Sequence, residues 1–234
     1  MNAPTSSRTD VLDNPAWASL TGFHAHLSEG TSRVRRFRPE VSRILAVDDL
    51  RDPNTWTDLA ALVGPGQEVS ITADLAELPE GWSVVRSIEG VQLIATDKLR
   101  AEPFDEAVQL GGADADDMLA LVARTQPGPF SAETYRLGTY LGVRRDGDLI
   151  AMAGERMHPP GWTEISAVCT DSQFRGQGLA GRLVRAVADG IYRRGDVPFL
   201  HTGAGNTTAI SLYLGLGFEL RKHVHFNIVR TPSS

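Results

Sequence analysis

At 234 residues, 41% of them hydrophobic, the chain is long enough for one large or two small cores. A net charge of −6 with scattered basic residues argues against a nucleic-acid or anionic-membrane surface, and the single cysteine, Cys169, excludes an intrachain disulfide. No apolar run approaches the roughly 20 residues of a membrane span, and "MNAPTSSRTD" lacks a signal core, so the reading is a soluble protein, cytoplasmic if bacterial.

Residues 1–14, rich in Ser, Thr, Asn and Pro, read as a flexible N-terminus. A smaller α/β domain is expected over 15–102. It holds a short helix in "AWASLTGFHAHLSEG", a strand in "VSRILAVDD", a helix in "DPNTWTDLAALVGPG", a strand in "EVSITAD" and two more in "WSVVRSIEGVQLIATD". Its element order resembles that of the second half closely enough to suggest a degenerate copy. Pro103 marks the border.

Residues 103–234 read as a second α/β unit. "DEAVQLG" is a strand, "ADADDMLALVARTQ" an acid-led helix, and "SAETYRLG" a short helix with Ser131 as a candidate cap. Asp146-Gly147 between two apolar runs signals a hairpin. Then come the strand "TEISAVCT", the stretch "QFRGQGLAGRLVRAVADGIY", the strand "VPFLHT", the helix "NTTAISLYLGLG" and a closing strand "FELRKHVHFNIV".

The stretch from Gln173 puts two glycines, Gly176 and Gly178, where a strand hands over to an amphipathic helix. The first turn of a helix leaves amide donors unpaired, its dipole adds positive charge, and glycine lets a bulky anion approach the backbone. Arg175 and Gln173 add side-chain donors, so the turn suits a phosphate or pyrophosphate. A tight strand-to-helix turn would ask for the same glycines, and neither G-x-x-x-x-G-K-[ST] nor G-x-G-x-x-G fits. Downstream, Asn206 and Tyr213 are seven apart, sharing a helix face at a separation of roughly 10 Å with small Ala209 between them. A narrow ligand fits along that face. Asn206 as an N-cap and Tyr213 as a core residue are the plainer alternatives.

Together these two motifs resemble the GNAT superfamily of acyl-CoA-dependent N-acyltransferases, and the segment from "EISAVCT" to "PFLHT" is most similar to its FR47-like branch. Gln173, Arg175, Gly176 and Gly178 match the family's Q/R-x-x-G-x-G/A turn. Asn206, Ala209, Leu212, Tyr213, Leu216, Gly217 and Phe218 match its N-x-x-A-x-x-L-Y-x-x-L-G-F helix. The resemblance covers about residues 103–230 and implies a mixed, mostly antiparallel sheet flanked by helices, in which "TEISAVCT" and "VPFLHT" are parallel neighbours that diverge. It implies acetyl-CoA as co-substrate, held by the backbone of Val168, Cys169 and Thr170, by the turn Gln173, Arg175, Gly176, Gln177, Gly178, Leu179 and Ala180, and by Asn206, Ala209 and Tyr213.

On the same resemblance Tyr213 is the general acid toward the departing thiolate. Glu164 is the candidate base, with an ordered water or a solvated strand-end role as alternatives. The acceptor site is expected around Phe130, Glu155 and Trp162, with Tyr135 nearby. Cys169 reads as a small buried residue rather than a nucleophile, since no histidine stands at a partner spacing. His201 is a structural histidine or a relay. His223 with His225, and His24 with His26, lack companions for a metal site, and no metal is expected. The function implied is direct transfer of acetyl from acetyl-CoA to a primary amine of a small molecule or peptide. The alternatives are a non-catalytic acyl-CoA-binding or regulatory module, or an acyltransferase using a larger acyl-CoA. No nucleic acid or membrane partner is expected, and a homodimer is left open.

Overall fold

A computed structural model describes residues 9–75 and 77–233. Eleven strands and five α-helices are described: β1 (Ser28–Gly30), β2 (Val34–Phe37), β3 (Leu45–Val47), β4 (Glu68–Thr72), β5 (Ser83–Ala95), β6 (Val108–Leu110), β7 (Tyr140–Arg145), β8 (Asp148–Glu155), β9 (Trp162–Thr170), β10 (Val197–Gly203) and β11 (Phe218–Arg230). The helices are α1 (Pro15–Thr21), α2 (Pro53–Val63), α3 (Ala115–Thr125), α4 (Leu179–Arg193) and α5 (Thr207–Leu216). β1–β3 form a small antiparallel sheet, and the other eight form one mixed sheet in the order β4-β11-β5-β10-β9-β8-β7-β6.

The border expected near residue 102 falls inside this large sheet. "WSVVRSIEGVQLIA" is one 13-residue strand rather than two, and it lies between β10 and β11, antiparallel to both. Residues 15–102 therefore supply two strands to the shared sheet and a separate three-stranded one, not a second copy of the fold. Its second half is apolar and paired on both edges, with Val91, Leu93, Ile94 and Ala95 all buried, while its exposed first half pairs with β11 alone.

Residues 1–8 of the segment expected to be flexible lie outside the described residues. The rest of that segment is ordered. A 3-10 turn, Asp10–Asp13, buries Leu12 completely against Trp162 and Phe199, and Asp13 pairs with Arg221 and Lys222. Asn14 then caps α1 through its side chain. His24 is tied down as well, between the Ser19 hydroxyl and the Leu137 carbonyl, which explains it without a metal. The short helix expected from Ser131 is a 3-10 turn, Thr134–Leu137, with no side-chain cap. The Asp146-Gly147 hairpin forms as read, both residues at positive φ.

α4 covers one face of the sheet. Its stripe of Leu179, Leu183, Val184, Val187 and Ile191 is buried against β7–β10, each large side chain contributing about 1.5–3 kcal/mol. On its outer side Arg182 and Arg185 reach Glu106 and Glu102, clamping the segment that follows β5. Among the described residues no helix is long and apolar enough to cross a membrane.

Candidate active site

β9 and β10 are parallel neighbours, but their pairing ends early. The register runs Val197↔Trp162, Pro198↔Thr163 and Phe199↔Glu164, and then the strands part. β10 goes on pairing with β5 as far as Gly203. On its other edge β9 carries a bulge. Met152 pairs with Cys169 and Gly154 with Ser166, so Ala167 and Val168 stand opposite Ala153 alone. Ala167 is held at φ 53, a left-handed conformation that a non-glycine residue seldom adopts. The bulge turns the strand at the place where its other edge has lost its partner.

The gap leads into a cleft of about 1780 Å³. At one end lie the backbone of Ala167–Thr170 and the turn with Arg175, Gly176 and Gly178; Ala209, Leu212 and Tyr213 of α5 form a flank. Gly176 and Gly178 sit at φ 80 and 75, and a Cβ built on either meets nothing within 4 Å. Glycine is thus needed for the backbone conformation, and the space above it is open to a ligand. α4 begins at Leu179, directing unpaired amides to the same place, and the buried Thr170 hydroxyl has no partner. Arg175 is exposed at the rim, its Nε donating to the Thr170 carbonyl at 3.3 Å. Gln173 and Gln177 are exposed and do not line the cleft.

Asn206 lines the cleft and also caps α5, its Oδ1 accepting from Ala209 N at 3.2 Å. Tyr213 is 7% exposed, and burial, with a smaller contribution from the nearby Cys169, pushes its phenol up to about 12. It is a proton donor at neutral pH. Cys169 lines the same wall, and burial raises its thiol to about 11 in spite of the Thr125 hydroxyl, which keeps it in the weakly nucleophilic thiol form at neutral pH.

The other end is walled by the N-terminal half, which no motif had marked. Ile44–Leu50 line it there, with Ser70–Asp74 and, beside them on the neighbouring strand, Phe226 and Ile228. Residues Thr125–Pro129 line the cleft, but Phe130, expected at the acceptor site, does not: it packs edge-on against Tyr140 at 5.8 Å. Trp162 belongs to the core, 0% exposed among Leu12, Ile94, Met157 and Phe199. Glu155 is buried outside the cleft, with Oε1 2.6 Å from Arg194 and Oε2 accepting from Thr139 N; it borders a smaller pocket of about 400 Å³ with His158 and Phe23. None of these three is a cleft residue.

Glu164 requires the main correction. It is 0% exposed and does not line the cleft. Arg156 grips it through two 2.6 Å bonds, and His201 Nδ1 donates to it at 2.7 Å. Burial alone would raise its pKa; the Arg156 charge and hydrogen bond and the His201 hydrogen bond override that and bring it down to about 2. A carboxylate so stabilised is a poor proton acceptor, and its side chain is fully covered. Arg156 and His201 stand in front of it and line the cleft themselves. The sequence offered no signal for Arg156, and it left His201 between two roles. His223 is exposed and His225 pairs with Asp74; among the described residues no cluster could hold a metal ion.

A parted parallel strand pair, a bulge at the parting and a glycine-lined helix start are brought together at this cleft. Comparisons with known proteins give its class. The FR47-like protein family matches residues 140–227. The chain is 34% identical over 83 residues to the N-alpha-acetyltransferase RimI of Mycobacterium tuberculosis; the match covers 34% of this chain and 51% of that protein, so the chain spans about half of the relative's length. A crystal structure assigned as a GNAT-family acetyltransferase from Novosphingobium aromaticivorans is 38% identical, covers 93% of this chain and 97% of its own, and superposes with a TM-score of 0.85. A GCN5-related N-acetyltransferase from Kribbella flavida, 15% identical with a TM-score of 0.59 over 94% of this chain and 96% of its own, shares the fold. The chain belongs to the GNAT family of acetyltransferases.

Proposed function

We propose that the protein transfers an acetyl group from acetyl-CoA directly to a primary amine of a small molecule or peptide. The observation that carries this is the break in pairing after Phe199↔Glu164, beside Tyr213 and an open glycine turn. When bound, the co-substrate supplies the activated acetyl thioester. The amides at Gly176–Leu179 hold its pyrophosphate, which fits their unpaired donors. Backbone groups at the Val168 bulge take the extended arm and polarise the thioester carbonyl. Tyr213 donates its proton to the departing thiolate. The amine loses its proton to water, since the one carboxylate expected as base is sealed behind Arg156 and His201.

Isothermal titration of acetyl-CoA, followed by a panel of primary amines scored by CoA release, tests this reading. Binding with turnover of at least one amine is expected. Absence of acetyl-CoA binding by the folded protein overturns it.

A further inference from the structure

Behind the cleft wall the polar atoms of Glu164 and His201 are all engaged. Glu164 Oε1 accepts from Arg156 Nη2 and His201 Nδ1, and Oε2 accepts from Arg156 Nε. His201 Nε2 lies 3.0 Å from Gln92 Nε2. The Gln92 amide is oriented from both sides: its Oε1 accepts from Arg221 Nη1 at 2.9 Å, and its Nε2 donates to the Leu12 carbonyl at 2.9 Å. The second amide hydrogen goes to His201, so Nε2 of the imidazole accepts and Nδ1 carries the proton given to Glu164. Both ring nitrogens of His201 are thereby engaged.

What remains is the outer edge of Arg156. Its Nη1 makes no hydrogen bond among the described residues, yet it is not a sealed orphan atom: the side chain is 19% exposed and lines the cleft. A guanidinium has two donor edges that match a carboxylate. Glu164 fills the Nε/Nη2 edge and fixes its plane. The Nη1/Nη2 edge is left to the cleft.

We infer that this second edge binds a carboxylate of the acceptor, so that the acceptor carries a primary amine and a carboxylate on one short chain. The inference rests on the acetyl-transfer reading and names its substrate class. Arg156 N donates to the Glu164 carbonyl, placing the two side by side. Glu164 and the bulge at Ala167–Val168 lie on one strand, so Arg156 and the parted backbone border the same cleft. A series of amino acids of graded length, from the α-amino acid upward, samples the separation between the two groups.

The test compares ω-amino acids with the ω-amino carboxamides of equal length, by kcat/KM for CoA release, in the native protein and in Arg156→Lys. The variant keeps the charge beside Glu164 and loses the fork; circular dichroism checks its fold. In parallel, N-acetyl-ω-amino acids and their amides are titrated calorimetrically in the presence of CoA, which needs no turnover. A charge-assisted pair predicts a carboxylate preference of about 10- to 100-fold in the native protein, reduced by about tenfold or more in Arg156→Lys. Turnover with no preference between the two series overturns this inference and leaves the acetyl-transfer reading standing. Carboxylate-selective binding without turnover of any amine does the reverse. Neither turnover nor selective binding overturns both.

Discussion

Replacing Glu164 with glutamine tests whether that residue holds the cleft wall or acts as the base. The change keeps the volume but turns one acceptor oxygen into a donor, facing either an Arg156 nitrogen or the His201 Nδ1–H, and it leaves the Arg156 charge without its buried partner. Breaking a buried pair costs about 3–5 kcal/mol. For a chain of this length, roughly 2–4 °C of melting temperature per kcal/mol gives a fall of about 6–20 °C at neutral pH. The folded carboxyl is depressed to about 2, so its contribution is complete above the ordinary carboxylate range and fades as pH falls through it toward 2. The gap between native protein and variant should therefore narrow on acidification. Thermal unfolding followed by circular dichroism at a series of pH values measures this, with kcat taken on the folded variant at saturating acceptor. A variant that is as stable as the native protein but has lost about 10²–10⁴-fold in kcat refutes the reasoning and restores Glu164 as base.

Two other substitutions probe the remaining parts. Gly178→Val places a branched side chain at φ 75, in the space left for the pyrophosphate; acetyl-CoA affinity by calorimetry should fall at least tenfold with the fold retained, and unchanged affinity removes the turn from the site. Leu12→Ala empties a fully buried position under Trp162 and Phe199 and should cost about 2–5 kcal/mol in denaturant unfolding, whereas a cost near zero would mean that the turn before α1 is not part of the core.

The end of the cleft proposed for the coenzyme was legible in the sequence because its features are local. Glycines at positive φ, a helix start and a tyrosine two turns after a cap all lie within short windows, and the parting of "TEISAVCT" from "VPFLHT", which the family resemblance implied, is present. The acceptor end was not, because it is assembled across the chain. Gln92 comes from a strand inserted between β10 and β11, Leu12 from the N-terminal turn, and Arg156 from the end of a strand pair. No spacing rule links residues 80 and 109 positions apart. Glu164 looked available because a carboxylate at a strand start is usually solvated, and only the tertiary pairing with Arg156 sealed it. Trp162 looked like a pocket aromatic for the same reason, until the N-terminal turn was seen to cover it.

Tyr213→Phe measures the central claim most directly. The substitution keeps the ring that packs beside Phe218 at 6.0 Å and removes only the hydroxyl with its proton. With acetyl-CoA affinity and kcat determined on the same preparation, the dissociation constant should stay within a few-fold, while kcat falls by about 10²–10⁴-fold as a lost general acid requires. An unchanged kcat with a turning-over amine would contradict the account, making Tyr213 a packing residue and placing the proton donor elsewhere.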